Sequence, residues 1–332
     1  MKNFISNIEI LNFKSIRHCS LTDCKRINLF IGRPNVGKSN ILEALSMFTL
    51  PYMGPKAKLS SLVRAKNPTE LYFNGDLDQV PAFRSQIGDW DLKFNPKEGL
   101  EIQLHYSDLA QSSFRVNKLG NELIIENARS NFSEDLPIKK YNFRPNIQFR
   151  KSHSKFLVPP FGQNLLGILE NFTALRKEVE DLFMEYNLQL VFDVSNQTLQ
   201  ILQKGKINNN SIFLIPYSSI ADTLQRVIFY KAAIASNDNS VIILEEPEAH
   251  SFPPYMSHIT QEMIHKKDNQ YFVSTHSPYI LNDLLENGMD ELAVFMVSYK
   301  KNETVTRQLS REELHEIYQN GVDLFTNSES YV

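Results

Sequence analysis

Phe30-Ile31-Gly32-Arg33-Pro34-Asn35-Val36-Gly37-Lys38-Ser39-Asn40 decides the reading of this 332-residue chain. From Gly32 the stretch matches G-x-x-x-x-G-K-[ST], a phosphate-binding loop. Its glycines let the backbone curl until several N–H groups face phosphate oxygens. Lys38 is placed to reach the β- and γ-phosphates of ATP, and the Ser39 hydroxyl to ligate Mg²⁺. Arg33, Pro34, Asn35, Val36, Gly37 and Asn40 complete the candidate nucleotide-binding set. The flanks agree. Residues 26–31 are apolar enough for a buried strand. Beyond the loop, Ile41, Leu42, Leu45 and Phe48 share one helical face. Strand, loop and helix in that order put the phosphate at a helix N-terminus. The helix is expected to end near Thr49, because Pro51 cannot continue it.

ATP hydrolysis on such a loop needs a carboxylate for the metal and a group that orients the attacking water. Val241-Ile242-Ile243-Leu244-Glu245-Glu246-Pro247-Glu248-Ala249-His250 offers both, at the end of a continuous apolar run typical of a doubly covered strand. Glu245 is assigned to the metal and Glu246 to the water. Neighbouring residues on a strand face opposite ways, so both can serve only if the strand ends at Glu246, as Pro247 suggests. One β/α unit later, Gln270-Tyr271-Phe272-Val273-Ser274 reads as a strand running into Thr275-His276-Ser277-Pro278, which places His276 near a γ-phosphate or its water.

The remaining chain supplies the frame. Residues 4–13 and 15–21 read as a hairpin, with Ile8, Ile10 and Phe4 inward. Residues 51–160 are broken by repeated prolines, with strands expected at 71–73 and 100–106 and a hairpin of 113–115 with 122–126. A helix is expected over 163–186, strands over 188–194, 198–203 and 212–216, and a helix over 219–235. Helices from Pro253 and Pro278 alternate with strands. Strands over 293–299 and 304–309 and a helix over 311–319 close the chain. The expected fold is α/β: a mixed, largely parallel core sheet flanked by helices, with a β-rich N-terminal lobe and insertion. The expected divisions are 1–50, a β-rich insertion 51–160, the remainder of the head 161–290, and a tail 291–332.

These motifs together resemble the ABC-type ATPase heads of the SMC/RecF group, and more narrowly the OLD-type ATPases of bacterial anti-phage and abortive-infection systems. The opening Ile10-Leu11-Asn12-Phe13-Lys14-Ser15-Ile16 is similar to the start of those heads. The resemblance implies a homodimer in which the loop of one copy and a signature helix of the other enclose each ATP. It places Tyr217-Ser218-Ser219-Ile220-Ala221-Asp222-Thr223-Leu224-Gln225-Arg226 at the signature position, with Ser219 touching the γ-phosphate in trans. Asp222 stands where that family has glycine, and Ser219-x-x-Asp222 also fits a capping box. No sustained heptads interrupt the head. The roughly 50 residues after His276 read as strands and a helix rather than a TOPRIM nuclease, so the effector is expected to be a separate polypeptide.

A formal net charge of -3 gives no global basic signal, so any DNA contact must come from local stretches such as Lys56, Lys58, Arg64 and Lys66, or Arg144, Arg150, Lys151 and Lys155. That defines the competing expectation of a DNA-repair ATPase; a nucleotide-locked scaffold with little turnover is a third. Cys19 and Cys24, in a C-x₄-C spacing with no second pair of cysteines, read as free thiols. No run approaches the length of a membrane span and no signal-peptide pattern is present, so the expected location is the cytoplasm. No glutamine is an evident metal-contacting residue between the lobes; Gln79, Gln86 and Gln103 are the candidates.

Overall fold

The computed structural model describes residues 3–107, 111–129, 135–193, 195–203 and 214–331. Its centre is β3 (Ile27–Ile31), whose five residues are all buried. Phe30 enters a first apolar core while Leu29 and Ile31 enter a second. This two-sided burial explains why the strand reads as an unbroken apolar run.

Around β3 lies a six-stranded sheet in the order β16-β15-β3-β14-β13-β9. It comprises β9 (Ile138–Tyr141), β13 (Val241–Glu245), β14 (Gln270–Ser274), β15 (Leu292–Lys300) and β16 (Glu303–Gln308). All neighbours are parallel except the β15–β16 hairpin. The alternation holds throughout: Ile243 and Phe272 enter the first core, and Ile242, Leu244 and Val273 the second.

A seven-stranded antiparallel sheet, ordered β2-β1-β4-β5-β6-β7-β8, covers the first core. It is built from β1 (Ile8–Phe13), β2 (Ile16–Leu21), β4 (Ala82–Ser85), β5 (Gly88–Asn95), β6 (Gly99–Tyr106), β7 (Ser112–Leu119) and β8 (Glu122–Arg129). Helix α1 (Lys38–Ser46) lies between the sheets. Trp90 of β5 fixes it by donating its indole N–H to Ala44 O at 2.9 Å. The second core is covered by α2 (Leu165–Asn171), α3 (Thr173–Met184), α4 (Asp222–Ala235), α5 (Pro253–His265), α6 (Pro278–Asn287) and α7 (Arg311–Asn320). A small sheet of β10 (Leu188–Asp193), β11 (Thr198–Gln203) and β12 (Leu214–Pro216) stands beside α3.

Several expectations are corrected. Residues 71–73 form no strand: 3₁₀ turns at Pro68–Leu71 and Phe73–Gly75 flank Tyr72, which makes one isolated bridge to Phe13. α1 ends at Ser46 and continues as a 3₁₀ turn, Met47–Tyr52, that accommodates Pro51. The helix expected over 163–186 breaks at Phe172. Residues 217–219 form a 3₁₀ turn, so α4 begins three residues later than expected. Of the strand expectations, Val194, Ile212 and Phe213 lie outside the described residues. Ile138–Tyr141, inside the proline-broken stretch, joins the parallel sheet beside β13. Four residues carrying Lys139 and Lys140 show no apolar alternation, which is why periodicity misses them.

Candidate nucleotide site

The loop after β3 folds around two left-handed residues, Asn35 (φ 62°) and Gly37 (φ 104°). A side chain at Gly37 would collide with Thr304 of β16, so glycine is required there for both conformation and space. The Thr304 hydroxyl donates to Val36 O at 2.9 Å and lies 2.6 Å from Ser15 Oγ, which accepts from Asn40 Nδ2 at 2.6 Å. Asn40 therefore braces the loop from behind. Arg33, Pro34 and Asn35 are exposed at its tip, and Arg33 pairs with Glu329 at 2.8 Å.

Lys38 is buried, and its ammonium donates to the carbonyls of Gly32 (2.8 Å) and Arg33 (2.9 Å). Burial draws its pKa down to about 8, against the opposing pull of Glu246, Glu245 and Glu248. The Ser39 hydroxyl faces Glu245 and helps to keep that carboxyl charged. Hydroxyl and carboxylate make a hard, all-oxygen donor set, which suits Mg²⁺ shared with phosphates.

β13 ends at Glu245, so this carboxylate faces α1 like Val241 and Ile243 before it. It is held by Arg64 at 2.9 Å and Lys140 at 3.2 Å. Burial alone would raise its pKa; Lys140 and Arg64 outweigh burial and keep the carboxyl below its ordinary value. At Glu246 the backbone turns to φ 44°, and the side chain comes within 3.5 Å of His276 Nε2. A non-glycine residue in this region costs about 1–3 kcal/mol and persists where the geometry is used. The turn resolves the opposed facing of two adjacent strand residues, as the ending of the strand requires. Burial and then Lys38 lower the His276 pKa, with Glu246 opposing, which favours a neutral imidazole.

Sequence reading missed five participants: Glu248, Arg64, Glu43, Lys14 and Lys140. Glu248 is buried, and its Oε1 accepts from Thr275 Oγ1 (2.7 Å) and His276 N–H (2.8 Å), tying the end of β13 to the end of β14. Arg64 bridges Glu245 and Glu43, and Lys14 closes the network on Glu43 at 2.5 Å. Arg64 was grouped with a basic stretch; its charge is consumed here, and Lys58 is consumed by Glu122 at 2.5 Å. Lys140 carried no signal at all. Gln79 and Gln86 are engaged locally, by Asp76 and by Ser6 respectively, and Gln103 lies on β6; none of the three bonds to the loop or to Glu245.

Ser219 is exposed in the 3₁₀ turn before α4, and no described residue engages its side chain. The capping box does not form, because Ala221 is the N-cap; Asp222 turns back to Arg226 at 2.6 Å on its own helix. The single chain thus gathers Lys38, Ser39, Glu245, Glu246 and His276 and leaves Ser219 outside that cluster.

Residues 1–148 match the family model described as the AAA ATPase domain. The protein is a P-loop ATPase. Its fold is similar to an SMC head solved with the C-winged helix domain of ScpA, at 13% identity and TM-score 0.55, covering 93% of this chain and 99% of that one. It is also similar to an SMC head with an extended coiled coil bound to the C-terminal domain of ScpA, from Pyrococcus furiosus, at 13% identity and TM-score 0.51, covering 96% and 99%. These likenesses show that this ATPase has the fold of an SMC head. No curated protein matches the sequence. Among the described residues no helix is long and apolar enough to cross a membrane.

Proposed function

We propose that this ATPase is a nucleotide-driven dimeric switch, closing on ATP and opening on hydrolysis, whose state is read by a separate effector protein in a bacterial anti-phage, abortive-infection response. The observation that carries the reading is the cluster at the ends of β13 and β14: Glu246 and His276 paired beside the charged end of Lys38, with the signature-position Ser219 exposed elsewhere. One chain then supplies the hydrolytic half of a site, and a second copy the far wall. Exposed Phe252 and Tyr279, which follow the Glu246 and His276 loops, offer apolar surface for that second copy.

In turnover, the Lys38 ammonium leaves the Gly32 and Arg33 carbonyls for phosphate oxygens. Bound Mg²⁺, held by Ser39 and through water by Glu245, would neutralise phosphate charge. Glu246 accepts a proton from the attacking water, and neutral His276 holds that water or a γ-oxygen by a hydrogen bond. Glu248 fixes the His276 backbone while this happens. At the partner face, the N-terminus of α4 and the Ser219 hydroxyl suit an incoming phosphate, and the Asp222–Arg226 pair keeps the Asp222 carboxylate engaged on its own helix.

The test is turnover across protein concentration, with Lys38→Ala and Glu246→Gln beside the parent. Specific activity should rise as dimer forms. Glu246→Gln should bind ATP and accumulate as dimer while turnover falls about 100-fold or more. Concentration-independent turnover, or unchanged dimerisation and phosphate release in both variants, refutes the switch. Salt-sensitive binding to duplex ends would instead favour the DNA-repair alternative.

A further inference from the structure

A second cavity of about 460 Å³ lies away from Lys38, among the segment that follows β9, the turn before α2, the β10–β11 turn and the residues entering α4. Its walls are strongly aromatic: Phe143, Phe149, Phe161, Tyr217 and Phe229 line it. Phe143 meets Phe229 edge-on at 5.8 Å between ring centroids, and Phe149 lies 6.1 Å from Tyr217. Arg144 is the single charged residue among the described lining. Its guanidinium sits 3.7 Å from the centre of the Phe161 ring. No described carboxylate pairs with it, and its one side-chain hydrogen bond is a 3.3 Å donation to Ser61 Oγ. The remaining lining polar groups are uncharged, including Gln148, Asn196 and Gln225.

We infer that this cavity binds a small planar aromatic anion, at a site separate from the nucleotide loop. Aromatic walls accept a flat ring in offset or edge-on contact. A guanidinium stacked on Phe161 is pre-oriented, and its fork matches a carboxylate or phosphate bidentately. The volume falls within the usual range for small-ligand sites, and among the described lining no acid opposes the Arg144 charge. Amides at the rim can read polar substituents on the ring. Tyr217 and Ser218 lie directly before Ser219, and Phe143 to Phe149 follow the strand beside β13. If the dimeric-switch reading holds, an occupant would therefore fix the entry to α4; binding itself does not rest on that reading.

Phenyl phosphate is the probe, titrated by calorimetry into the Lys38→Ala protein so that the nucleotide loop does not compete, with phenol and inorganic phosphate as controls. Phenyl phosphate should bind at least tenfold more tightly than either control. Arg144→Gln should weaken it about tenfold or more while leaving the thermal midpoint unchanged, as expected for an exposed side chain. Phe149→Ala should weaken phenyl phosphate and phenol together. Competition by AMP would assign the natural occupant to the nucleotides, and competition by 4-hydroxybenzoate to the aromatic acids. Absence of phenyl phosphate binding, or binding indifferent to Arg144→Gln, overturns the inference. Retained phenyl phosphate binding with no concentration-dependent turnover would leave the site standing and remove only its link to α4.

Discussion

Lys38 answers two opposed demands: it must be charged to hold phosphate, yet it is buried against the loop that presents it. Burial lowers its pKa to about 8, so the free protein begins to lose the ammonium above that pH. Phosphate would raise the pKa again, so binding in this range takes up a proton. ATP affinity should fall as pH rises beyond about 8, and calorimetry at pH 8.5 in buffers of different ionisation enthalpy should register proton uptake that Lys38→Ala abolishes. Glu248 works through geometry. Its Oε1 fixes Thr275 and the His276 backbone, while Oε2 is buried with no described partner, and burial raises its pKa. Glu248→Gln retains an acceptor for both donors and should keep most turnover. Glu248→Ala should lower kcat about tenfold or more with little change in ATP affinity; equal losses in both variants would show that the carboxylate itself is required. These roles were only partly legible. Glu245, Glu246 and His276 stand in a recognisable order after apolar strands, whereas Glu248 reads as one more acid in an acidic turn until its two donors are seen.

Elements hold the site through their ends. β13 and β14 stop at Glu245 and Ser274, and the loops beyond them carry Glu246 and His276, the proposed catalytic pair. The nucleotide loop is braced from the far edge of the sheet by Thr304 of β16, a contact separated from it by most of the chain. Gly37→Ala combines a left-handed backbone with a collision against that residue, so ATP binding should weaken at least tenfold; titration of a fluorescent ATP analogue would measure it. α4 is anchored by Lys231, which pairs with Glu178 of α3 and Glu262 of α5, so its exposed N-terminus is presented on a fixed support. α7 has the capping box that α4 lacks: Ser310 accepts from Glu313 N–H, and Glu313 accepts from Ser310 N–H at 2.8 Å. Ser310→Ala should cost about 1 kcal/mol in denaturant unfolding without altering turnover.

At the scale of the whole molecule, two cores back the two faces of one largely parallel sheet, and Glu245, Glu246 and His276 collect at the ends of its strands. Exposed Phe252 gives this scale its own test. Phe252→Asp should leave ATP affinity within about twofold of the parent, because it touches none of the phosphate-binding groups, and should reduce ATP-dependent dimer measured by light scattering about tenfold. Unchanged dimerisation would move the interface elsewhere. By itself the sequence determined the loop, the order of strand, loop and helix, the acidic pair with its histidine, and the mixed α/β architecture. Each depends on local patterns, a glycine spacing or an unbroken apolar run, that few other conformations satisfy. The tertiary structure alone decided that Arg64 and Lys140 hold Glu245, that Thr304 braces the loop, that Ile138–Tyr141 belongs to the sheet of β3, and that Asp222 serves its own helix rather than a capping box. Ion pairs and strand neighbours between distant residues leave no periodicity in the chain, so only folding brings them together.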